Sequence, residues 1–78
     1  MLRTQQVARA SGVTSRTLRH YDAIGLLTPA GAAPGGQRLY GRLELLRLQR
    51  ILVLRELGLP LDQVARVLDG EDDDVAAL

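Results

Sequence analysis

One spacing constrains this chain more than any other: Val7, Ala8, Gly12, Val13 and Leu18, all inside the stretch Gln5 to Tyr21 (Gln-Gln-Val-Ala-Arg-Ala-Ser-Gly-Val-Thr-Ser-Arg-Thr-Leu-Arg-His-Tyr). Val7 and Ala8 fall on the inner side of a short first helix, where Ala8 is small enough to let a second helix cross closely. Gly12 stands where the chain must reverse, and a residue without Cβ takes a positive φ there at little cost. Val13 plugs the corner. Thr14 or Ser15 can cap the next helix by accepting a hydrogen bond from a free backbone N–H. Leu18 then returns to the core. Two helices joined in this way are a helix-turn-helix.

The second helix indicates the use of the unit. At about 100° per residue, Leu18, Tyr21 and Ile24 share one side and Leu27 follows them inward, while Ser15, Arg16, Arg19, His20 and Ala23 share the other. Hydroxyl, guanidinium and imidazole groups from the first turn onward suit a DNA major groove, since Arg forks onto guanine and Ser or Thr bonds in either sense. The plainer alternative is a solvated helix with scattered arginines. The Val7–Ala8–Gly12–Val13–Leu18 spacing beside it weighs toward nucleic acid.

Charge points the same way. The net charge of +1 hides ten arginines against four acids in residues 1–68 and five acids with no base in residues 69–78. A basic body with an acidic tail fits a polyanionic partner for the body. All ten basic residues are Arg, a side chain suited to bidentate phosphate and base contacts. With 78 residues the chain makes one small domain, and with no Cys it has neither a disulfide nor a thiolate metal site. Its apolar runs are too short to span a bilayer and no cleavable signal opens it, so a cytoplasmic location is expected. No pair of carboxylates shares an apolar setting, and His20 has no companion ligand. Neither enzymatic activity nor a cofactor is expected.

Along the chain, Thr4 is the expected cap of a first helix reaching about Ala10, and the second helix should run from about Ser15 to Ala23, ended by Gly25. Pro29 to Gly36 contains only Pro, Ala and Gly, as in a turn. Gln37-Arg38-Leu39-Tyr40 then reads in two ways. As a strand pairing back on Leu26–Thr28 it places Leu39 inward and Arg38 with Tyr40 on the other face, making a hairpin wing. Alternatively it is an irregular linker with Tyr40 packed on the core. A third helix should begin at Gly41, with Glu44 in its first turn, and end before Gly58 and Pro60. Its apolar residues lie on two sides: Leu43, Leu46, Val53, Leu54 and Leu57, and Leu45, Leu48 and Leu52. One side can hold the helix-turn-helix; the other wants the fourth helix or a second subunit. That fourth helix, about Leu61 to Leu68, should stop at Asp69-Gly70. The domain is then residues 1–70, and residues 71–78 read as an acidic linker with the first turn of a further helix, cut as it starts.

Val13-Thr14-Ser15-Arg16-Thr17-Leu18-Arg19-His20-Tyr21-Asp22-Ala23-Ile24-Gly25-Leu26-Leu27 resembles the MerR family of bacterial transcription regulators. The likeness continues through Arg38-Leu39-Tyr40, Arg47-Leu48-Gln49-Arg50-Ile51-Leu52 and Arg55-Glu56-Leu57-Gly58-Leu59-Pro60-Leu61-Asp62. Within the family it is most similar to the thiostrepton-induced (TipA-like) and multidrug-responsive members. The resemblance implies a mainly α, winged helix-turn-helix fold of about four helices with a short β-hairpin wing, and the start of a fifth helix. It implies a homodimer formed through a helix beyond Leu78, and an effector domain that these residues lack. It further implies a palindromic promoter operator in double-stranded DNA, distorted so that RNA polymerase can read it. By position, Ser15, Arg16 and Arg19 match the major-groove contacts, His20 and Tyr21 the phosphate contacts, and Arg38 and Tyr40 the wing contacts. Thr14 and Thr17, on the same first turn, complete that set. Gly41-Arg42 replaces the family's usual side-chain cap, and Arg42 adds a charge within reach of phosphate. Two other functions fit the residues: a free-standing, excisionase-like architectural protein, and a winged helix that binds an acidic protein.

Overall fold

The computed structural model describes the backbone of residues 1–77 and the side chains of residues 1–70. It divides into two compact units, Met1–Leu48 and Gln49–Leu78. Among the described residues there are four helices and one small antiparallel sheet.

In the first unit, a two-residue strand β1 (Leu2–Arg3) leads into α1 (Thr4–Ser11). Thr4 is not the cap. Arg3 holds that position, and the Gln6 carboxamide oxygen accepts its N–H at 2.9 Å. An acceptor three residues inside the helix serves where a cap side chain was expected in front of it. At the other end Gly12 turns left-handed, with φ 78°, and donates its N–H to the Ala8 carbonyl at 2.9 Å. Ser11 completes the reversal: its hydroxyl donates to the Val7 carbonyl at 2.7 Å and accepts the Val13 N–H at 3.2 Å. Helix α2 (Ser15–Ala23) has the expected bounds, and Thr14 is its cap, accepting the Thr17 N–H at 3.1 Å.

The wing is built differently from the expected hairpin. Leu26 and Leu27 do not form a strand; both N–H groups return to the Tyr21 carbonyl, at 2.8 and 3.2 Å, and both side chains are buried. The partner of β3 (Arg38–Tyr40) is β2 (Gly31–Ala32), inside the Pro, Ala and Gly stretch whose composition suggests only a turn. The reversal between them places Gly35 and Gly36 consecutively at φ 90° and 81°, a tip that side-chain-bearing residues rarely form. On its other edge β3 pairs with β1, Leu2 opposite Tyr40 and Arg3 opposite Leu39, giving the order β1-β3-β2. The faces of β3 are also reversed. Tyr40 is 0 % exposed, whereas Leu39, expected inward, is half-buried.

Val7, Leu18, Tyr21, Leu26, Leu27, Tyr40 and Leu48 form the buried set of this unit. Ile24, expected inward, is instead 49 % exposed. Ile24 keeps the helical bond from its N–H to the His20 carbonyl at 3.1 Å, and at about 100° per residue it lies about 120° round the axis from Leu18, at the edge of the buried side.

Helix α3 (Arg42–Glu56) opens at Gly41, whose carbonyl accepts the Leu45 N–H at 3.0 Å and whose own N–H donates to the Glu44 carboxylate at 2.8 Å. That carboxylate supplies from inside the helix the side-chain acceptor that Gly41 lacks. The two-sided apolar pattern of α3 resolves into one buried side, with Leu48 and Ile51, and an opposite side on which Leu43 (76 %), Leu46 and Val53 are exposed, as is Leu57 (71 %) just past its end. The chain leaves α3 through Gly58, whose N–H returns to the Arg55 carbonyl at 3.0 Å. In the second unit, α4 (Leu61–Ala77) starts on the Pro60 carbonyl, which accepts from both Gln63 and Val64, and it buries Val64 and Leu68. It does not stop at Asp69-Gly70. One Gly inside a helix costs about 1 kcal/mol, too little by itself to end a helix. The backbone of α4 runs on through 71–77, where a linker and a separate helical turn were expected. Among the described residues, no helix is long and apolar enough to cross a membrane.

Candidate nucleic-acid interface

The local chemistry of α2 sets out its outer face. Thr14 caps the helix and also donates its hydroxyl to that of Thr17 at 2.9 Å, so these two hydroxyls shape the first turn. From that capped start Arg16, Arg19 and His20 are exposed, Ser15 is half-buried, and Leu18 and Tyr21 anchor the opposite side in the core. The His20 ring lies 6.4 Å from that of Tyr21, tilted by 45°. Arg and His side chains displayed from a helix whose other face is locked in the core can enter a groove without disturbing the fold.

The sheet brings further groups beside this helix. Because β1 pairs with β3, the N-terminal residues stand next to the wing, and an open cleft of about 490 Å³ lies between the starts of α1 and α2 and the wing. Arg3, Arg19 and Arg38 line it together with Ser15, Gln5, Gln6 and Gln37, and among the described residues no acid lines it. Of the expected site residues, Ser15, Arg19 and Arg38 therefore come together in one place, with Arg16, His20 and Thr17 on the same helix. Arg42 is exposed at the first position of α3 and does not line the cleft. Arg3, Gln5, Gln6 and Gln37 were missed by sequence reasoning. Only the pairing of Leu2 with Tyr40 brings Arg3 to the wing, and a strand of two residues has no periodicity to detect.

Arg38 is not a free wing cation. Its Nε donates to Asp22 Oδ2 on α2 at 2.8 Å, with the two side chains 39 % and 26 % exposed. That hydrogen bond is the main reason the Arg38 guanidinium holds its proton even more firmly than usual; partial burial works against it, and the negative charge of Asp22 adds to it.

Tyr40 needs a correction. The family resemblance has it present its hydroxyl to DNA from the wing, but ring and hydroxyl are wholly buried, and among the described residues the hydroxyl has no hydrogen-bond partner. In this arrangement Tyr40 is a core residue. An unpaired buried hydroxyl costs about 1–3 kcal/mol. Tyr40→Phe should accordingly leave DNA affinity within about twofold and leave stability equal or higher by about 1 kcal/mol. Urea unfolding together with fluorescence anisotropy on duplex DNA checks both parts; a clear loss of affinity would return Tyr40 to the interface.

A capped second helix seated by Leu18 and Tyr21, a tight left-handed turn before it, and a three-stranded wing beside it define a winged helix-turn-helix domain. Similarity to known proteins makes the family specific. The family described as MerR HTH family regulatory protein matches residues 2–71, and the chain belongs to that family. It is 58% identical over 64 residues to the HTH-type transcriptional activator TipA of Streptomyces coelicolor, a match covering 82% of this chain and 25% of that protein. It is 51% identical over 73 residues to the HTH-type transcriptional regulator SkgA of Caulobacter vibrioides, covering 94% of this chain and 29% of the relative. The crystal structure of MtaN, the N-terminus of the Bacillus subtilis multidrug transporter activator, matches with a TM-score of 0.86 at 46% identity, over 88% of this chain and 65% of that one. The chain thus spans less than a third of the length of these curated relatives.

Proposed function

We propose that this chain is the DNA-binding part of a ligand-responsive transcription regulator. It docks α2 in the major groove of a palindromic promoter operator and lays the wing along the adjoining backbone. In this reading Arg16 and Arg19 read base edges with help from Ser15, while His20, Arg38, Arg3 and Arg42 hold phosphates. A second copy of the protein occupies the other half-site, and bending of the operator in the cytoplasm lets RNA polymerase use it. The observation that carries the reading is the continuity of one positive surface: α2 displays Arg16 and Arg19, and the cleft at its start gathers Arg3, Arg19 and Arg38 with no acid among the described residues. A regulator of this kind needs no chemistry at the site, in keeping with relatives named as transcriptional regulators.

Affinity built on Arg–phosphate contacts comes largely from released counterions. Log K should therefore fall linearly with log salt, by roughly 0.9 for each phosphate neutralised on B-DNA. Anisotropy titrations of this chain on duplex DNA across a salt series read that slope. A slope near zero would sink the proposed DNA-binding role.

A further inference from the structure

Asp22 is the one acid of α2, on the helix that otherwise displays Arg16, Arg19 and His20. On charge alone it is a defect, because a carboxylate close to a DNA-facing surface repels phosphate. The geometry points to the opposite role: we infer that Asp22 is a positioning residue for DNA binding, holding Arg38 of the wing so that its guanidinium faces the cleft beside Arg3 and Arg19. The inference rests on the DNA-binding reading above and deepens it.

Three observations carry it. First, the contact is made by Nε, the inner nitrogen of the guanidinium, at 2.8 Å from Asp22 Oδ2. A bond at Nε occupies one edge of the fork and leaves the two outer nitrogens to meet a phosphate at the far end. Second, Arg38 lines the cleft, while Asp22, within hydrogen-bond distance of it, does not. Third, Arg3, Arg19 and Arg38 share one cleft with no acidic lining among the described residues, and like charges so placed push flexible side chains apart. A carboxylate bonded to one of them offsets that repulsion and fixes its rotamer before DNA arrives. An arginine held in place in advance gives up less conformational freedom on binding. The same bond ties β3 to α2, keeping the backbone-holding and base-reading parts in one register.

The test turns on a sign. Asp22→Asn removes a negative charge close to the proposed interface, so simple electrostatics predicts tighter DNA binding. Positioning predicts the reverse, a weakening of roughly threefold to tenfold at fixed salt from the loss of a charge-assisted hydrogen bond. Asp62→Asn, the same charge change at an exposed site in the first turn of α4, should bind as wild type or slightly tighter. Arg38→Lys keeps the charge but has no Nε fork, and should weaken binding much as Asp22→Asn does. In an Arg38→Ala background, Asp22→Asn should cause no further weakening. Anisotropy on one duplex, with circular dichroism of each variant at the assay temperature, reads all of these. Asp22→Asn binding as tightly as wild type or tighter overturns the inference. So does full affinity in Arg38→Lys, or a weakening by Asp22→Asn that persists without Arg38, or loss of the fold in Asp22→Asn, since each of the last two makes the role structural. Failure of the wild type to bind DNA overturns the underlying reading instead, and shows in the wild-type titration alone.

Discussion

Leu18→Ala lowers the thermal midpoint of this domain by roughly 10–30 °C, because a domain of this size shifts about 4–8 °C for each kcal/mol lost. Leu18 is 0 % exposed and sits midway along α2, on the side that seats the helix in the core. A buried Leu→Ala change costs about 2–5 kcal/mol, the larger figures where the surroundings cannot collapse into the space. Here the space is bounded by short helices held at tight turns: Gly12 turns α1 into α2, and the Tyr21 carbonyl accepts both Leu26 and Leu27 after it. Such a frame relaxes little. Total stability for a domain this small is only about 5–10 kcal/mol, so the change removes a large share of it. Thermal and urea unfolding followed by circular dichroism measure the effect, and a loss below about 1 kcal/mol would show that α2 is not seated by Leu18. The consequence for function is direct, since the residues proposed to read DNA hang on the other side of the same helix.

Arg16→Ala and Arg19→Ala each cost about 1–3 kcal/mol in binding to the cognate half-site, and each loss is concentrated at one base-pair position. Both side chains are exposed and project from a helix that a side-chain cap starts and that Gly25, with its N–H on the Asp22 carbonyl, closes. A rigid helix can hold a guanidinium at a base edge with little ordering cost at the moment of binding. Titrations on a panel of singly altered half-sites separate the two kinds of contact. A base-reading arginine, once removed, flattens the preference at its own position, whereas a phosphate-holding one weakens every duplex alike. Uniform loss for Arg19→Ala would move that residue from the groove to the cleft it shares with Arg3 and Arg38, leaving Arg16 as the reader.

The parts of this molecule that rest on neighbours within a few residues are legible in its sequence. The bounds of α2, a hydroxyl cap at Thr14 or Ser15, the left-handed turn at Gly12 and the exit at Gly58 all follow from hydrogen bonds closed over three or four residues, and the residues that close them are written side by side. The basic outer face of α2 is legible for the same reason. The cap of α1 lies one residue from the expected position because a Gln carboxamide accepts the N–H of Arg3, in the place that Thr4 was expected to fill.

What tertiary structure alone decided are the choices between equivalent faces and partners. Period two in Arg38-Leu39-Tyr40 requires alternate residues to share a face, yet it does not say which face is inside. Pairing with Leu2–Arg3 on one edge and Gly31–Ala32 on the other turns Tyr40 inward. Helix α3 likewise has two apolar sides in its sequence, and the fold buries Leu48 and Ile51 while leaving Leu43 and Val53 in solvent. The reach of Arg3 into the cleft and the hold of Asp22 on Arg38 belong here too. Local hydrogen bonding and helical period act through adjacent residues and so are encoded where they act. Which surface is covered depends on segments that meet only after the chain has folded, and that choice leaves no local pattern to read.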